Sequence, residues 1–175
     1  NDNDKMQGEA TPEYIYYKKC AKRMKKVVPK AKLILLLRDP IQRAYSQYNM
    51  FKNEFDYHKS FNDAMYEIIQ FDGDGIIERG FYNEQIKNLL KYFPKDQILI
   101  LISEKFRKKP QETINQVFDF LNLKRVKIDY CPSIHVRKYE KEMDDGIKKY
   151  LYETFKPHNE DLYTFLGFRI EEWDY

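Results

Sequence analysis

At 175 residues the chain is long enough to bury a substantial core and short enough to be one domain. Its 31 basic and 28 acidic side chains leave a net charge of only +3, which argues against a general nucleic-acid binder while allowing local basic patches. The 2 cysteines, Cys20 and Cys131, are too few for a disulfide framework or a metal site; no apolar run approaches a membrane span, and no secretory leader is legible.

Residues 1–10 are polar and expected to fray. Thr11-Pro12-Glu13 has the form of a helix start, with Thr11 as cap and Pro12 in the first turn. Tyr14, Tyr17, Ala21, Met24 and Val28 fall at helical spacing and predict one helix to about Val28. Lys18, Lys19, Lys22, Arg23, Lys25 and Lys26 give it a basic face, either simply solvated or able to attract an anionic glycan or acidic substrate. Leu33 to Leu37 form an unbroken apolar run, read as a strand covered on both faces. Arg38 follows at its carboxyl end, where open α/β sheets place their ligands. Asp39-Pro40 ends the strand and opens a helix from about Ile41 to Phe55, with Ser46 on the turns nearest the strand end. A guanidinium and a hydroxyl beside a helix start suit an oxyanion or a phosphate. The plain alternative pairs Arg38 with Asp39 and leaves Ser46 capping or facing solvent.

Ser60 is read as the cap of a helix from Phe61 to about Ile69, with His58 on the surface near its start. A loop with Gly73 and Gly75 leads through Gly80 to a helix from about Phe81 to Tyr92. Tyr82 and Gln85 share one of its faces, either as core or as cleft lining. Pro94 and Asp96 turn the chain into a second buried strand, Gln97 to Ile102. Ile114, Val117, Phe118 and Leu121 build an amphipathic helix over 110–121. An irregular stretch, 124–142, precedes two closing helices and an aromatic tail from Phe168 to Trp173. Glu140, Glu142, Asp144 and Asp145 lack metal spacing, and Asp144 or Asp145 reads as a helix cap. Two buried strands, each followed by a helix, indicate an α/β fold with a parallel sheet.

Several blocks, taken in order, resemble PAPS-dependent sulfotransferases of the heparan-sulfate and bacterial carbohydrate type, over their carboxyl-terminal two-thirds. Glu9-Ala10-Thr11-Pro12-Glu13-Tyr14 resembles the family's E-K-[ST]-P-x-Y segment, with Ala10 at the lysine position. Arg38-Asp39-Pro40, Arg43 and Ser46-Gln47-Tyr48 resemble the motif that holds the 3′-phosphate of the donor, 3′-phosphoadenylyl sulfate (PAPS). Gly80-Phe81-Tyr82 with Gln85, then Tyr92-Phe93-Pro94 and Gln97-Ile98-Leu99, resemble its G-x-Y-x-x-Q…F-P…Q-I-L block; Gly167-Phe168-Arg169 and Trp173 resemble its ending.

The resemblance implies a three-layer α/β/α domain with a parallel sheet, like P-loop nucleotide kinases, here lacking the first strand and the P-loop. It implies one sulfotransferase domain over 1–175, incomplete at its amino terminus. Arg38 and Ser46 would grip the 3′-phosphate, while Arg43 is equally readable as the partner of an acidic neighbour. Tyr130-Cys131 resembles the family's aromatic residue before a cysteine, and Val136-Arg137-Lys138-Tyr139 its K-G-R-x-[HY]-P loop over the donor. Tyr130 would stack on adenine, and His135, Val136, Arg137, Lys138 and Tyr139 would line the phosphates; a solvated basic loop is the alternative. The departures are specific: the family's hairpin and second cysteine are absent, His135 stands for lysine, Val136 for glycine and Glu140 for proline. A β-carbon at Val136 hinders the close backbone approach that glycine permits.

By the same resemblance, the chain transfers a sulfuryl group from PAPS to a hydroxyl or amine of a carbohydrate-like acceptor, with no metal and no nucleic-acid partner. No G-x-x-x-x-G-K-[ST] or K-x-G-T-T segment occurs, and the family's catalytic carboxylate also lies upstream of the matched part. Neither the P-loop lysine nor the base can therefore be named, and these 175 residues alone are expected not to turn over PAPS. The alternative function is a non-catalytic module that binds a nucleotide or an anionic polymer. Bacterial relatives are cytoplasmic and animal ones sit in the Golgi lumen, so compartment stays open.

Overall fold

The computed structural model describes residues 6–54, 63, 75–129 and 143–174. Outside the described residues lie His58, the helix predicted at Phe61 to Ile69 apart from Asp63, Gly73, and the stretch from Tyr130 through Glu142.

The predicted first helix is two: α1, Glu13–Tyr16, and α2, Lys18–Val27, parted by an extended Tyr17 at φ −75° and ψ 108°. Thr11 does not cap; its hydroxyl donates to Glu9 Oε1 at 2.8 Å. At the break, α1 has an attachment of its own. Arg79 holds Glu13 with a two-pronged bond (2.7 and 2.9 Å) and lies 4.4 Å from the centre of the Tyr16 ring, fastening α1 to the turn at 75–80. Tyr16 packs so closely on Gly75 (φ +59°) that a β-carbon there would sit 2.3 Å from its hydroxyl oxygen. Both short helices also lean on a later one, and α2 buries Ala21 fully. It carries six cations and no acid. Its like-charged i,i+4 pairs Lys18–Lys22, Lys19–Arg23 and Lys22–Lys26 each cost about 0.2–0.5 kcal/mol.

Strands β1, Leu33–Leu37, and β2, Ile98–Ile102, pair in parallel, Leu33 opposite Ile98 and Leu37 opposite Ile102. Between them come α3, Pro40–Glu54, and α4, Tyr82–Leu90. Helix α4 turns Tyr82, Ile86 and Leu89 inward; Tyr82 and Ile86 pack with Leu37, Ile102, Leu162, Ile170 and Trp173. A second cluster joins Ile41, Ala44, Tyr45 and Tyr48 of α3 to Ile76, Ile77, Leu151 and Phe155. Gly80 is the joint: a β-carbon there would lie 2.5 Å from the Phe155 ring and 3.0 Å from Pro40. The chain can therefore bring α3, α4 and the last helix together only without a side chain at this point.

The apolar run at 33–37 is not covered on both faces. Leu37 is buried, while Ile34 and Leu36 stay 40% and 52% exposed. Alternation puts these two on the same face as Leu99 and Leu101. Leu101 is buried there, and the far edge of β1 carries no strand among the described residues.

After β2, a short helix not expected from periodicity, α5 (Ser103–Lys108), precedes α6, Pro110–Leu121, which matches the predicted amphipathic helix and ends at a left-handed Asn122 (φ 58°). The two closing helices are one, α7, Asp145–Leu166, continuous through Pro157. Leu151 and Phe155 before the proline and Leu162 and Tyr163 after it are all buried, so packing on both sides carries the helix past the missing N–H. Asp144 caps it as expected, accepting from the N–H groups of Gly146 (2.9 Å) and Ile147 (3.3 Å).

Candidate functional site

Both strands deliver polar groups immediately beyond their carboxyl ends. Asp39, 4% exposed, caps α3: its Oδ1 accepts from Ile41 N–H at 2.8 Å and Gln42 N–H at 3.3 Å. Its own N–H donates to Glu104 Oε1 at 3.3 Å, so the ends of β1 and β2 are tied directly. Glu104 also accepts from Arg107 at 2.8 Å and from the Trp173 indole N–H at 3.1 Å. Burial pushes the Asp39 carboxyl up to about 6; the two cap hydrogen bonds pull the other way, nearby Glu104 adds to the rise, and Arg38 opposes it.

Behind this cap, the Tyr82 hydroxyl donates to the Arg38 carbonyl at 2.8 Å, and burial raises its phenol to about 12. Tyr82 is thus a core residue that also fixes the backbone of Arg38. Among the described residues Arg43 has no acidic hydrogen-bond partner. It donates to Gln47 Oε1 at 2.6 Å and to the Ile76 carbonyl, and burial depresses its pKa. It ties α3 to the turn before Gly80.

Arg38 and Ser46 are left available. The Arg38 guanidinium is half-buried, makes no hydrogen bond or ion pair among the described residues, and has its Nε enclosed without a partner. The Asp39 carboxylate is committed to the α3 cap, and it reaches Arg38 only as a nearby charge. Ser46 lies half-buried in the second turn of α3, and its hydroxyl likewise has no partner among the described residues. A fixed cation and a free hydroxyl flanking a helix start suit a phosphate-like anion. Tyr130, His135, Val136, Arg137, Lys138 and Tyr139 lie outside the described residues. Glu104 was missed in the sequence, although the strand-end rule that picked out Arg38 applies equally to the residue two past β2.

Two adjoining cavities open elsewhere, along α4. One of about 640 Å³ is lined by Tyr16, Tyr17, Phe81, Glu78, Glu84 and Gln85, among others. Gln85 donates to the Glu78 carbonyl at 3.0 Å, while its Oε1 is enclosed with no partner. The other, about 430 Å³, lies among the α2 cations, Asn88 and Tyr92. Neither is lined by Arg38 or Ser46. Among the described residues no helix is long and apolar enough to cross a membrane, and no group of three or more His, Cys, Asp or Glu could hold a metal.

Parallel strands flanked by helices, with polar groups gathered past the strand ends, define an α/β fold of the P-loop type. The sulfotransferase domain family matches residues 17–161, and the chain belongs to that family. It is 25% identical to the membrane-associated sulfotransferase kil1 of Dictyostelium discoideum, over 95% of this chain and 53% of that protein. It is 30% identical to mouse (Mus musculus) heparan sulfate glucosamine 3-O-sulfotransferase 6, over 69% of this chain and 36% of the relative. A crystal structure of a sulfotransferase from Alicyclobacillus acidocaldarius superposes with a TM-score of 0.79 at 25% identity, covering 95% of this chain and 66% of that one. The chain therefore spans about half or less of these curated relatives.

Proposed function

We propose that the chain is the 3′-phosphate-binding part of a PAPS-dependent sulfotransferase acting on a hydroxyl or amine of a carbohydrate-like acceptor. The observation that carries this reading is the unengaged pair Arg38 and Ser46 beside the α3 start, in a chain of the sulfotransferase family. Relatives named for heparan sulfate 3-O- and N-sulfation support the acceptor class. PAPS supplies an activated sulfuryl group: a bond forms from acceptor oxygen or nitrogen to sulfur, the sulfur–oxygen bond to the 5′-phosphate breaks, and the acceptor proton passes to a base. Neither that base nor the lysine beside the leaving oxygen is assigned to a residue of this chain. Here Arg38 and Ser46 hold and orient the far end of the donor, Asp39 and Tyr82 hold Arg38 in place, and the family resemblance assigns the adenine and phosphates to Tyr130, His135, Val136, Arg137, Lys138 and Tyr139.

Calorimetry with adenosine 3′,5′-bisphosphate tests the assignment. A charge-assisted hydrogen bond is worth about 1.5–3 kcal/mol, so Arg38→Ala weakens binding roughly 10- to 100-fold. Equal affinity of wild type and Arg38→Ala, or no binding by a protein extended upstream, overturns the reading. Binding without sulfuryl transfer by that extended protein would favour the non-catalytic module.

A further inference from the structure

We propose that Glu104 and Trp173 are positioning residues for Arg38: with Tyr82 they clamp the peptide group between Arg38 and Asp39, and so set how strongly the pocket prefers a 3′-phosphate. That peptide group lies between two regular elements and belongs to neither. The β1 ladder ends at Leu37, opposite Ile102, and α3 begins at Pro40. Its carbonyl oxygen and its N–H therefore need partners from outside strand and helix. The Tyr82 hydroxyl donates to the oxygen at 2.8 Å, and Glu104 Oε1 accepts from the N–H at 3.3 Å. One planar unit is thus held at both poles, which fixes ψ of Arg38 and φ of Asp39. Both holders meet at Trp173. Its indole N–H donates to Glu104 Oε2 at 3.1 Å, and its buried ring lies 5.9 Å from that of Tyr82. The turn that carries it, Glu171–Trp173, is anchored in its own right by buried Ile170 and by Lys108 of α5, 3.4 Å from Glu172.

A purely structural contact does not need a charge at this place. Glu104 stands close enough to Asp39 to push its carboxyl up further, so the two acids repel, and a neutral side chain would fill the space without that repulsion. What a carboxylate adds is a pair of acceptor oxygens, one for the Asp39 N–H and one for the indole. Arg107, on the next turn of α5, donates to Glu104 Oε1 at 2.8 Å and offsets its charge beside a site for an anion. The Arg38 guanidinium has no partner among the described residues, so its aim is set by the backbone from which it departs. A small turn of the clamped peptide is carried down a long side chain into a displacement of the guanidinium. A planar fork meets phosphate oxygens well over only a narrow range of positions. The inference rests on the donor-pocket reading above, to which it adds the residues that decide its selectivity.

The test compares adenosine 3′,5′-bisphosphate with adenosine 5′-phosphate, which lacks only the 3′-phosphate, by calorimetry on the full chain. The ratio of the two affinities reads the Arg38 contact itself, whereas a general loss of structure weakens both nucleotides alike. Glu104→Ala should lower the ratio about tenfold, with adenosine 5′-phosphate within about twofold of wild type. Trp173→Phe, which keeps a ring and loses the N–H, should lower it about threefold. Because Tyr82 and Glu104 hold one peptide group, Tyr82→Phe/Glu104→Ala should lose little more of the ratio than Glu104→Ala alone. Without any ligand, deuterium exchange of the Asp39 amide, followed by NMR, should quicken about tenfold in Glu104→Ala and keep its wild-type rate in Arg38→Ala. A wild-type ratio in both Glu104→Ala and Trp173→Phe overturns the clamp. So does an Asp39 amide as well protected in Glu104→Ala as in wild type, or a double variant whose loss is the product of the two single losses. A ratio lost in Arg38→Ala alone leaves the donor pocket standing without the clamp, whereas a ratio unchanged in Arg38→Ala overturns the pocket and the clamp with it.

Discussion

Asp39 makes the chain's stability fall as pH rises through about 6. Its carboxyl is buried at the strand end, where the charged form loses more hydration than the α3 cap returns, so the folded-state value is raised from 3.8 to about 6. A raised folded-state value means that the fold prefers the protonated group. The stabilisation is complete below the unfolded value near 3.8 and is lost as pH climbs past about 6. Integrating the linkage between those values gives a swing on the order of 3 kcal/mol in all, of which about 1.4 kcal/mol falls between pH 5 and pH 8. Asp39→Asn keeps an oxygen that can accept from Ile41 and Gln42 but cannot ionise. Urea unfolding at several pH values, followed by fluorescence of the single, buried Trp173, should show wild type losing about 1.4 kcal/mol relative to Asp39→Asn between pH 5 and pH 8. A wild-type stability that, relative to Asp39→Asn, stays flat or rises with pH refutes the assignment of burial as the dominant cause.

Gly80→Ala drives a methyl into the Phe155 ring and Pro40, and should cost about 1–3 kcal/mol by overpacking in the same unfolding assay. Tyr82→Phe leaves the Arg38 carbonyl without its 2.8 Å donor, and should cost about 1–3 kcal/mol while weakening adenosine 3′,5′-bisphosphate measurably in calorimetry.

What was legible in the sequence was what local chemistry dictates. Asp39-Pro40 closes one element and opens another because aspartate accepts the first free N–H groups and proline fits the first turn. The 110–121 helix follows from its apolar spacing, and Asp144 caps α7 for the same reason as Asp39 caps α3. What was hidden depends on partners far along the chain. Tyr17 breaks a well-formed helical pattern because Arg79, more than 60 residues on, holds the turn before it (66 from Glu13). Pro157 fails to end α7 because its neighbours on both sides are buried. Ser103–Lys108 is too short and too polar to show a period, and it brings the carboxylate that ties the strand ends together. Of the candidate site, Arg38 and Ser46 were visible as a spacing, whereas their lack of competing partners emerged only once Asp39 and Arg43 were seen engaged elsewhere.

The half-bare face of β1 has a consequence for handling the chain in solution. Ile34 and Leu36 stand beside an edge whose backbone groups have no strand to meet among the described residues. An apolar, unpaired edge is a template that accepts any extended segment of matching length. In a concentrated preparation of these residues alone, the nearest such segment is the same edge of another copy. Clumping would then begin at the sheet that carries Arg38, covering the strand end well before the helices lose their structure.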